Sequence, residues 1–165
     1  MPEKRKLFSL RKLKWPQGFL SLWPLFLTSC PTHQEMKQQL GQIALLVKDY
    51  DEAIAFYTKV LDFDLIEDTF MSETKRWVRV CPPGSSCQLL LAKAANEVQE
   101  SQIGYQAGGR VFLFLYTDDF WRDYRKYTSK GVEFLREPSH EAYGTVSVFR
   151  DLYGNLWDLI EPLDQ

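Results

Sequence analysis

The sequence predicts an α+β fold built from two tandem β-α-β-β-β modules. The order strand, helix, strand, strand, strand is readable twice along the 165 residues, and the spacing is kept between the copies. Asp49 and Asp118, which precede the two helices, are 69 residues apart, and Leu65 and Phe134 in the following strands are separated by the same interval. Equal spacing of a helix cap and a strand residue indicates an internal repeat.

Module one spans residues 41–92. Its first strand, 42–48, alternates apolar side chains between the two faces, as a half-buried strand does. Asp49 is a typical helix N-cap, and the helix that follows carries an apolar stripe from Ala53 to Leu61. Three further strands are predicted at 63–68, 76–81 and 88–92.

Module two spans residues 111–162 and repeats this order. A strand at 111–116 is followed by a helix that begins after Asp119 and is broken at Gly131. Three strands are predicted at 132–136, 145–150 and 156–161. The linker, 93–110, joins the modules and is long enough for a functional segment such as a pocket lid.

Charge is unevenly distributed along the chain. Residues 1–35 carry six Lys or Arg against two Glu, whereas the remainder carries 14 basic and 20 acidic residues. An acidic body repels the phosphate backbone, so we exclude nucleic acid as the main partner. Aromatic residues make up 15% of the chain, which indicates a crowded core or a pocket lined with flat side chains.

The segment 1–35 is predicted to lie outside the domain, which we place at 36–165. Its apolar run at 19–27 is far shorter than the ~20 residues that cross a bilayer. The segment is consistent with an extension that precedes a true start at Met36, an export signal with a lipobox-like Cys30, or a surface anchor. We expect a cytoplasmic protein. The alternative is an exported lipoprotein lipidated at Cys30, and membrane contact is expected only if this segment is a signal or an anchor.

Two cysteines, Cys81 and Cys87, flank a Pro-Pro-Gly-Ser-Ser turn. They are expected to remain thiols in a reducing cytosol, and a disulfide is expected only in an exported form. A lone cysteine pair without a nearby histidine is a weak indication of a metal site.

Four segments together resemble the vicinal oxygen chelate superfamily, which includes glyoxalase I, bleomycin-resistance proteins and extradiol dioxygenases. They are VKDYDEAIAFYTKVLDF (47–63), KRWVRVCPPG (75–84), TDDFWRDYRKYTSKGVEF (117–134) and YGTVSVFRDLYGNLWDLIEP (143–162). The resemblance implies that the modules form one cupped mixed sheet, with the site inside and the helices on the outer face. It also implies a homodimer. Asp62 departs from the family, which usually has Gly after the first helix.

The resemblance also implies where metal ligands would stand. They would fall on Gln42, on Gln88 or Leu90, on Phe112 and on Asp158. Only one of these is a carboxylate, and Phe offers no donor, so the family's metal positions are degraded. We therefore expect no cofactor, with a divalent metal held by Asp158, Gln42 and water as the alternative.

Strand parity predicts a polar and aromatic ligand site on the concave face. Asp158 is the best catalytic candidate, although a buried structural carboxylate fits the same pattern. We further hypothesise that Arg110 pairs with Asp158 within about 4 Å and replaces the lost cation. The predicted ligand-binding residues are Gln42, Trp77, Arg79, Gln88, Arg110, Phe112, Phe114, Tyr116 and Asp158.

Three functions follow from these observations. The first is a metal-free protein that encloses a small organic molecule in an aromatic cup, as bleomycin-resistance relatives do. The second is a glyoxalase-type lyase or isomerase, and the third is a non-catalytic interaction domain. The fold alone does not choose among them.

Overall fold

The computed structural model describes residues 38–163. The predictions made for residues 1–35, including lipidation at Cys30, therefore lie outside the described residues. Across residues 38–163, no helix combines the length and the apolar character that a membrane span requires.

The described chain contains three helices and eight strands in two modules. Module one comprises β1 (Gln42–Val47), α1 (Tyr50–Ala55) with a π-helical turn (Phe56–Val60), β2 (Asp64–Ser72), β3 (Lys75–Cys81) and β4 (Gln88–Lys93). The linker holds α2 (Glu97–Ser101). Module two comprises β5 (Val111–Tyr116), α3 (Phe120–Ser129), β6 (Ser139–Glu141), β7 (Gly144–Arg150) and β8 (Leu156–Pro162). This order confirms the predicted α+β fold.

Each module forms its own four-stranded mixed sheet. The strand orders are β1-β4-β3-β2 and β5-β8-β7-β6. In each sheet the first and last strands of the module, β1·β4 and β5·β8, pair in parallel, and the remaining pairs are antiparallel. The two sheets therefore repeat one topology, as the sequence repeat predicts.

Helices cover one face of each sheet and leave the other face without a helix, although in module two the central residues Val146, Asp158 and Ile160 of that second face are buried. On the covered side, alternate strand residues such as Leu45, Val78 and Leu159 are fully buried in a single core that both modules share. Rings from the two modules meet there, with Tyr57 and Trp157 centroids 6.2 Å apart. We call the two uncovered surfaces the open faces. They carry the positions that alternate with the buried ones.

A buried carboxylate joins the two modules inside this core. Asp151 accepts hydrogen bonds from the Tyr57 hydroxyl at 2.8 Å, the Trp157 indole at 3.2 Å and the Asn155 amide at 2.9 Å. Burial and the adjacent Asp151 carboxylate raise the pKa of Tyr57 well above its usual value. The Tyr57 hydroxyl therefore remains a hydrogen-bond donor and ties α1 to the β7–β8 turn.

Two predicted features differ from the structure. The strand expected at 132–136 is reduced to a bridge between Phe134 and Phe149, and the strand that pairs with β7 is β6. Pro138 lies between them and has no backbone N–H, so the ladder cannot continue through it. The linker also contains the unpredicted helix α2, whose N-cap Asn96 accepts from the Gln99 backbone N–H at 2.9 Å.

Candidate functional site

A polar row crosses the open face of module one. Arg79 donates to Glu67 at 2.6 and 3.1 Å and to the Gln88 side-chain oxygen at 2.9 Å. Gln88 lies directly opposite Gln42 in the β1·β4 register. The structure therefore brings three of the predicted residues together on one face, and it adds Glu67. Glu67 was missed, although opposite charges on paired strands were a readable signal.

A cavity of about 880 Å³ lies at the end of this sheet, between the β2–β3 hairpin and the start of the linker. Its floor comes from the open face, with Leu46, Trp77, Leu90 and Ala92 among the lining residues. Phe70 lines the cavity from the hairpin side and is 67% exposed. Charged groups at the rim include Lys75. This volume lies within the range of cavities that enclose drug-sized ligands.

Asp158 lies on the open face of module two and is 7% exposed. One carboxyl oxygen, Oδ1, is buried without a hydrogen-bond partner, and the Arg136 guanidinium stands 3.7 Å from it. Burial raises the pKa of this carboxyl above its usual value, and Arg136 offsets part of that rise. Phe114 is its direct neighbour across the β5·β8 ladder.

The hypothesis that Arg110 pairs with Asp158 is wrong. Among the described residues, the only cation within 4 Å of Asp158 is Arg136, whereas Arg110 is exposed just before β5. A bulge at the start of β5 also displaces Phe112, because the register shifts between Val111 and Leu113. Phe112 packs against the core, and Phe114 takes the position opposite Asp158.

The predicted site residues divide between two surfaces. Gln42, Trp77, Arg79 and Gln88 belong to module one, and Phe114, Tyr116 and Asp158 belong to module two. Within residues 38–163, no hydrogen bond, ion pair or ring contact joins the two groups directly. Tyr116 lines a separate cavity of about 740 Å³ beside Pro82, Arg122 and Tyr127. The ligand-binding roles of the predicted site residues in both modules stay predictions.

The paired βαβββ sheets, each with one covered and one open face, define the class of protein to which this chain belongs. The model of the Glyoxalase/Bleomycin resistance protein/Dioxygenase superfamily matches residues 39–159. The chain belongs to this superfamily, and the predicted resemblance is confirmed.

Relatives and solved structures agree with that assignment. A Shewanella frigidimarina protein is 60% identical over 132 residues, which cover 79% of this chain and 98% of the relative. YetH of Bacillus subtilis is 30% identical over 126 residues, 76% of this chain and 100% of YetH. The UcmS2 structure has a TM-score of 0.67 at 29% identity, covering 76% of this chain and 99% of UcmS2. TnmS3, an antibiotic binding protein from Streptomyces sp. CB03234, has a TM-score of 0.64 at 26% identity, covering 77% and 98%.

The donors on the open faces do not fit the metal that some members of the superfamily hold. Gln88 already accepts from the Arg79 guanidinium, and Asp158 has the Arg136 guanidinium beside it. The Arg79 guanidinium occupies the Gln88 acceptor, and the positive charge of Arg136 near Asp158 opposes a divalent cation there. Across residues 38–163, no three His, Cys, Asp or Glu side chains come close enough together to hold an ion.

Proposed function

We propose that the protein binds a flat, largely apolar organic molecule in the 880 Å³ cavity of module one, and that it does so without a metal. The observation that carries the proposal is the cavity itself, which has Trp77 and Phe70 at its wall and aliphatic side chains on its floor. Aromatic side chains recognise flat ligands by stacking and by burial of apolar area.

Polar groups at the rim would orient such a ligand. The Asp49 carboxylate is 3.6 Å from Lys93, and Arg76 is held by Asp51 at 2.6 Å, so these charges compensate each other. Glu73 and Lys75 also line the cavity and, among the described residues, neither forms an ion pair. The rim therefore offers one uncompensated charge of each sign, and a ligand with a polar group at one edge can meet either of them.

The antibiotic-binding relative supports a ligand of this size and kind. TnmS3 shares the fold and 26% of the aligned residues, and it binds an antibiotic. By analogy we infer a small antibiotic-like organic molecule as the ligand class here. This inference rests on the analogy with TnmS3, and the 880 Å³ cavity has the volume to hold such a ligand.

A second candidate function is acid–base chemistry at Asp158. Its burial and its raised pKa are properties that catalytic acids share. A glyoxalase-type enzyme that used Asp158 without a metal would turn over a substrate, whereas a binding protein would release its ligand unchanged. Recovery of intact ligand after incubation distinguishes the two.

The binding proposal is tested by screening planar polycyclic compounds for thermal stabilisation and then titrating the best of them. We expect Trp77→Ala to weaken its binding about tenfold or more, because the stacking surface is lost. Trp121→Ala removes a 43% exposed tryptophan on α3 that does not line the cavity, and it should leave the affinity unchanged. Equal affinity in the wild type and Trp77→Ala would contradict the proposal.

A further inference from the structure

We propose that the end of the β2–β3 hairpin is a movable flap at the 880 Å³ cavity, and that Arg76 is the positioning residue that holds this flap against α1. We define the flap as residues 69–77 and the latch as the ion pair between Arg76 and Asp51. This role rests on the proposed function, because the flap borders the cavity in which the ligand would bind. The latch is testable without a ligand, so its failure and the failure of the binding function are distinguishable.

The flap projects beyond the point at which the sheet of module one divides. β3 pairs with β4 from Val78 to Val80 and then separates from it, whereas the β2·β3 ladder continues to Ser72 and Lys75. β4 remains paired with β1 as far as Lys93. The cavity has lining residues from both of these two-stranded arms. The flap therefore forms the wall on one side of the cavity, and the β1·β4 arm forms the wall on the other side.

The tip of the flap is poorly packed. Phe70 and Met71 are 67% and 57% exposed, and the register of the ladder shifts between Phe70 and Ser72. A two-stranded hairpin is only marginally stable by itself. Segments with few buried apolar contacts open locally while the rest of a protein stays folded. The contacts that hold the flap against the domain therefore determine how often this wall of the cavity is open.

Arg76 fastens the flap to the start of α1. Its guanidinium donates to the Asp51 carboxylate at 2.6 Å, and it pairs with Asp68 on β2 through Nε at 2.8 Å and also through Nη2. The same guanidinium lies over the Tyr50 ring, 5.4 Å from its centroid, and the Arg76 backbone N–H donates to the Tyr50 hydroxyl at 3.3 Å. Tyr50 is 7% exposed and belongs to the core. One arginine therefore joins the flap to a fixed part of the domain.

The latch is the contact of Arg76 that can break while the domain stays folded. The Asp51 side chain is 80% exposed, and exposed ion pairs are weak and screened by salt. Asp68 belongs to the same hairpin as Arg76, so their pair is kept when the flap moves. Loss of the Asp51 contact therefore releases the flap from the helix without disrupting the hairpin.

Amide hydrogen exchange of the full chain, measured by NMR without ligand, tests the latch. We expect Asp51→Ala to speed the exchange of the flap amides about threefold, because an exposed ion pair is lost. The amides of β7 and β8 should exchange at wild-type rates, and Asp51→Glu, which keeps the carboxylate, should restore slow exchange in the flap. Glu52→Ala is the matched control, since it removes an acid from the same helical turn and leaves the contacts of Arg76 in place.

Binding kinetics with the best compound of the screen test the role of the flap at the cavity. We expect Asp51→Ala to raise the association and dissociation rate constants about threefold each, because the flap opens more often in the free and in the bound protein. The Kd should change little, whereas a distorted cavity would change it.

Two results would overturn the latch: equal flap exchange in the wild type and Asp51→Ala, or equally fast exchange in Glu52→Ala. Faster flap exchange with unchanged rate constants would overturn the role of the flap at the cavity. A screen in which no compound binds would refute the binding function, and with it the role of the flap in ligand access, whereas the exchange rates would still decide the latch.

Discussion

At the residue scale, the surroundings of Asp158 favour the uncharged carboxylic acid over an ion-paired carboxylate. It is almost fully buried, Oδ1 has no hydrogen bond, and Arg136 is beyond hydrogen-bond distance at 3.7 Å. Burial therefore outweighs the nearby charge, and the pKa of Asp158 rises from the ordinary 3.8. Ionising this carboxyl costs more in the folded protein than in the unfolded chain.

Because the pKa of Asp158 is raised in the folded state, we expect the stability of the protein to depend on pH. The protonated Asp158 stabilises the folded wild-type protein, because the folded state binds this proton more tightly than the unfolded chain does. This contribution to the free energy of unfolding should be lost as pH rises from about 3.8 through the raised folded-state pKa. Asp158→Asn carries no such charge. We expect the stability of this variant relative to the wild type to increase as pH rises from about 3.8 to 7.

Urea unfolding of both proteins between pH 3.5 and pH 7.5 measures this difference. Asp64→Asn is the control, because Asp64 is exposed and, within residues 38–163, forms no ion pair. Its difference from the wild type should not increase with pH. A constant difference for Asp158→Asn across the range would show that Asp158 is ionised normally.

At the scale of elements, the end of the first helix is fastened to α3 of the other module. Asp62 has a φ of 55°, the left-handed conformation that glycine adopts without strain. Its carboxylate forms ion pairs with Lys126 on α3 and with Lys130, the C-cap residue of α3, and Lys130 also donates to the Lys59 carbonyl oxygen at 2.7 Å. The aspartate therefore accepts backbone strain and gains contacts between the modules.

Substitutions at Asp62 should separate these two effects. Asp62→Ala keeps the strained φ and loses both ion pairs, whereas Asp62→Gly loses the pairs and relieves the strain. We expect Asp62→Gly to be the more stable of the two by about 1 kcal/mol in urea unfolding. Salt at 1 M should reduce the loss in both variants, since the pairs are partly exposed. Equal stability of the two variants would mean that the φ of Asp62 carries no strain.

At the scale of the whole molecule, the covered faces of the two sheets share one core, and the edge strands β2 and β5 carry exposed apolar side chains. Phe114 and Tyr116 on module two are 58% and 66% exposed, and Leu65, Ile66, Phe70 and Met71 on β2 of module one are also exposed. Exposed apolar surface of this kind marks an interaction site. We propose that a second copy of the chain covers part of it, as the predicted homodimer requires.

Light scattering coupled to size exclusion tests this assembly. We expect the full chain to elute with about twice the mass of one 19.3 kDa chain, and Phe114→Glu to elute as a monomer, because a charge on this face opposes burial. Val98→Glu changes a 75% exposed residue on α2, which belongs to neither sheet, and should leave the dimer intact. A monomeric wild type would refute the proposed assembly.

Much of this architecture could be predicted from local pattern. Alternation in β1 assigned the face of Gln42, while the resemblance gave Gln88 or Leu90 on β4 and left Trp77 and Arg79 as additions to the same face. The structure places Gln42, Trp77, Arg79 and Gln88 on the open face of module one. Asp49 caps α1 as the sequence indicated and accepts from the Asp51 and Glu52 N–H groups. In module two the N-cap is Asp119, which accepts from the Arg122 N–H, and not Asp118, whose spacing from Asp49 was used for the repeat. These features depend on residues that are close in the chain.

Features that depend on distant residues could not be predicted in this way. A single bulge in β5 moved Phe112 away from Asp158, and counting along the strand cannot detect such a bulge. Arg136 reaches Asp158 from a segment that was expected to be a strand, and the linker wraps back to form a cavity with residues 150–156. The period of the sequence determined the elements and their buried faces. Only the tertiary structure decided which side chains meet, because contacts between distant segments depend on how the elements pack.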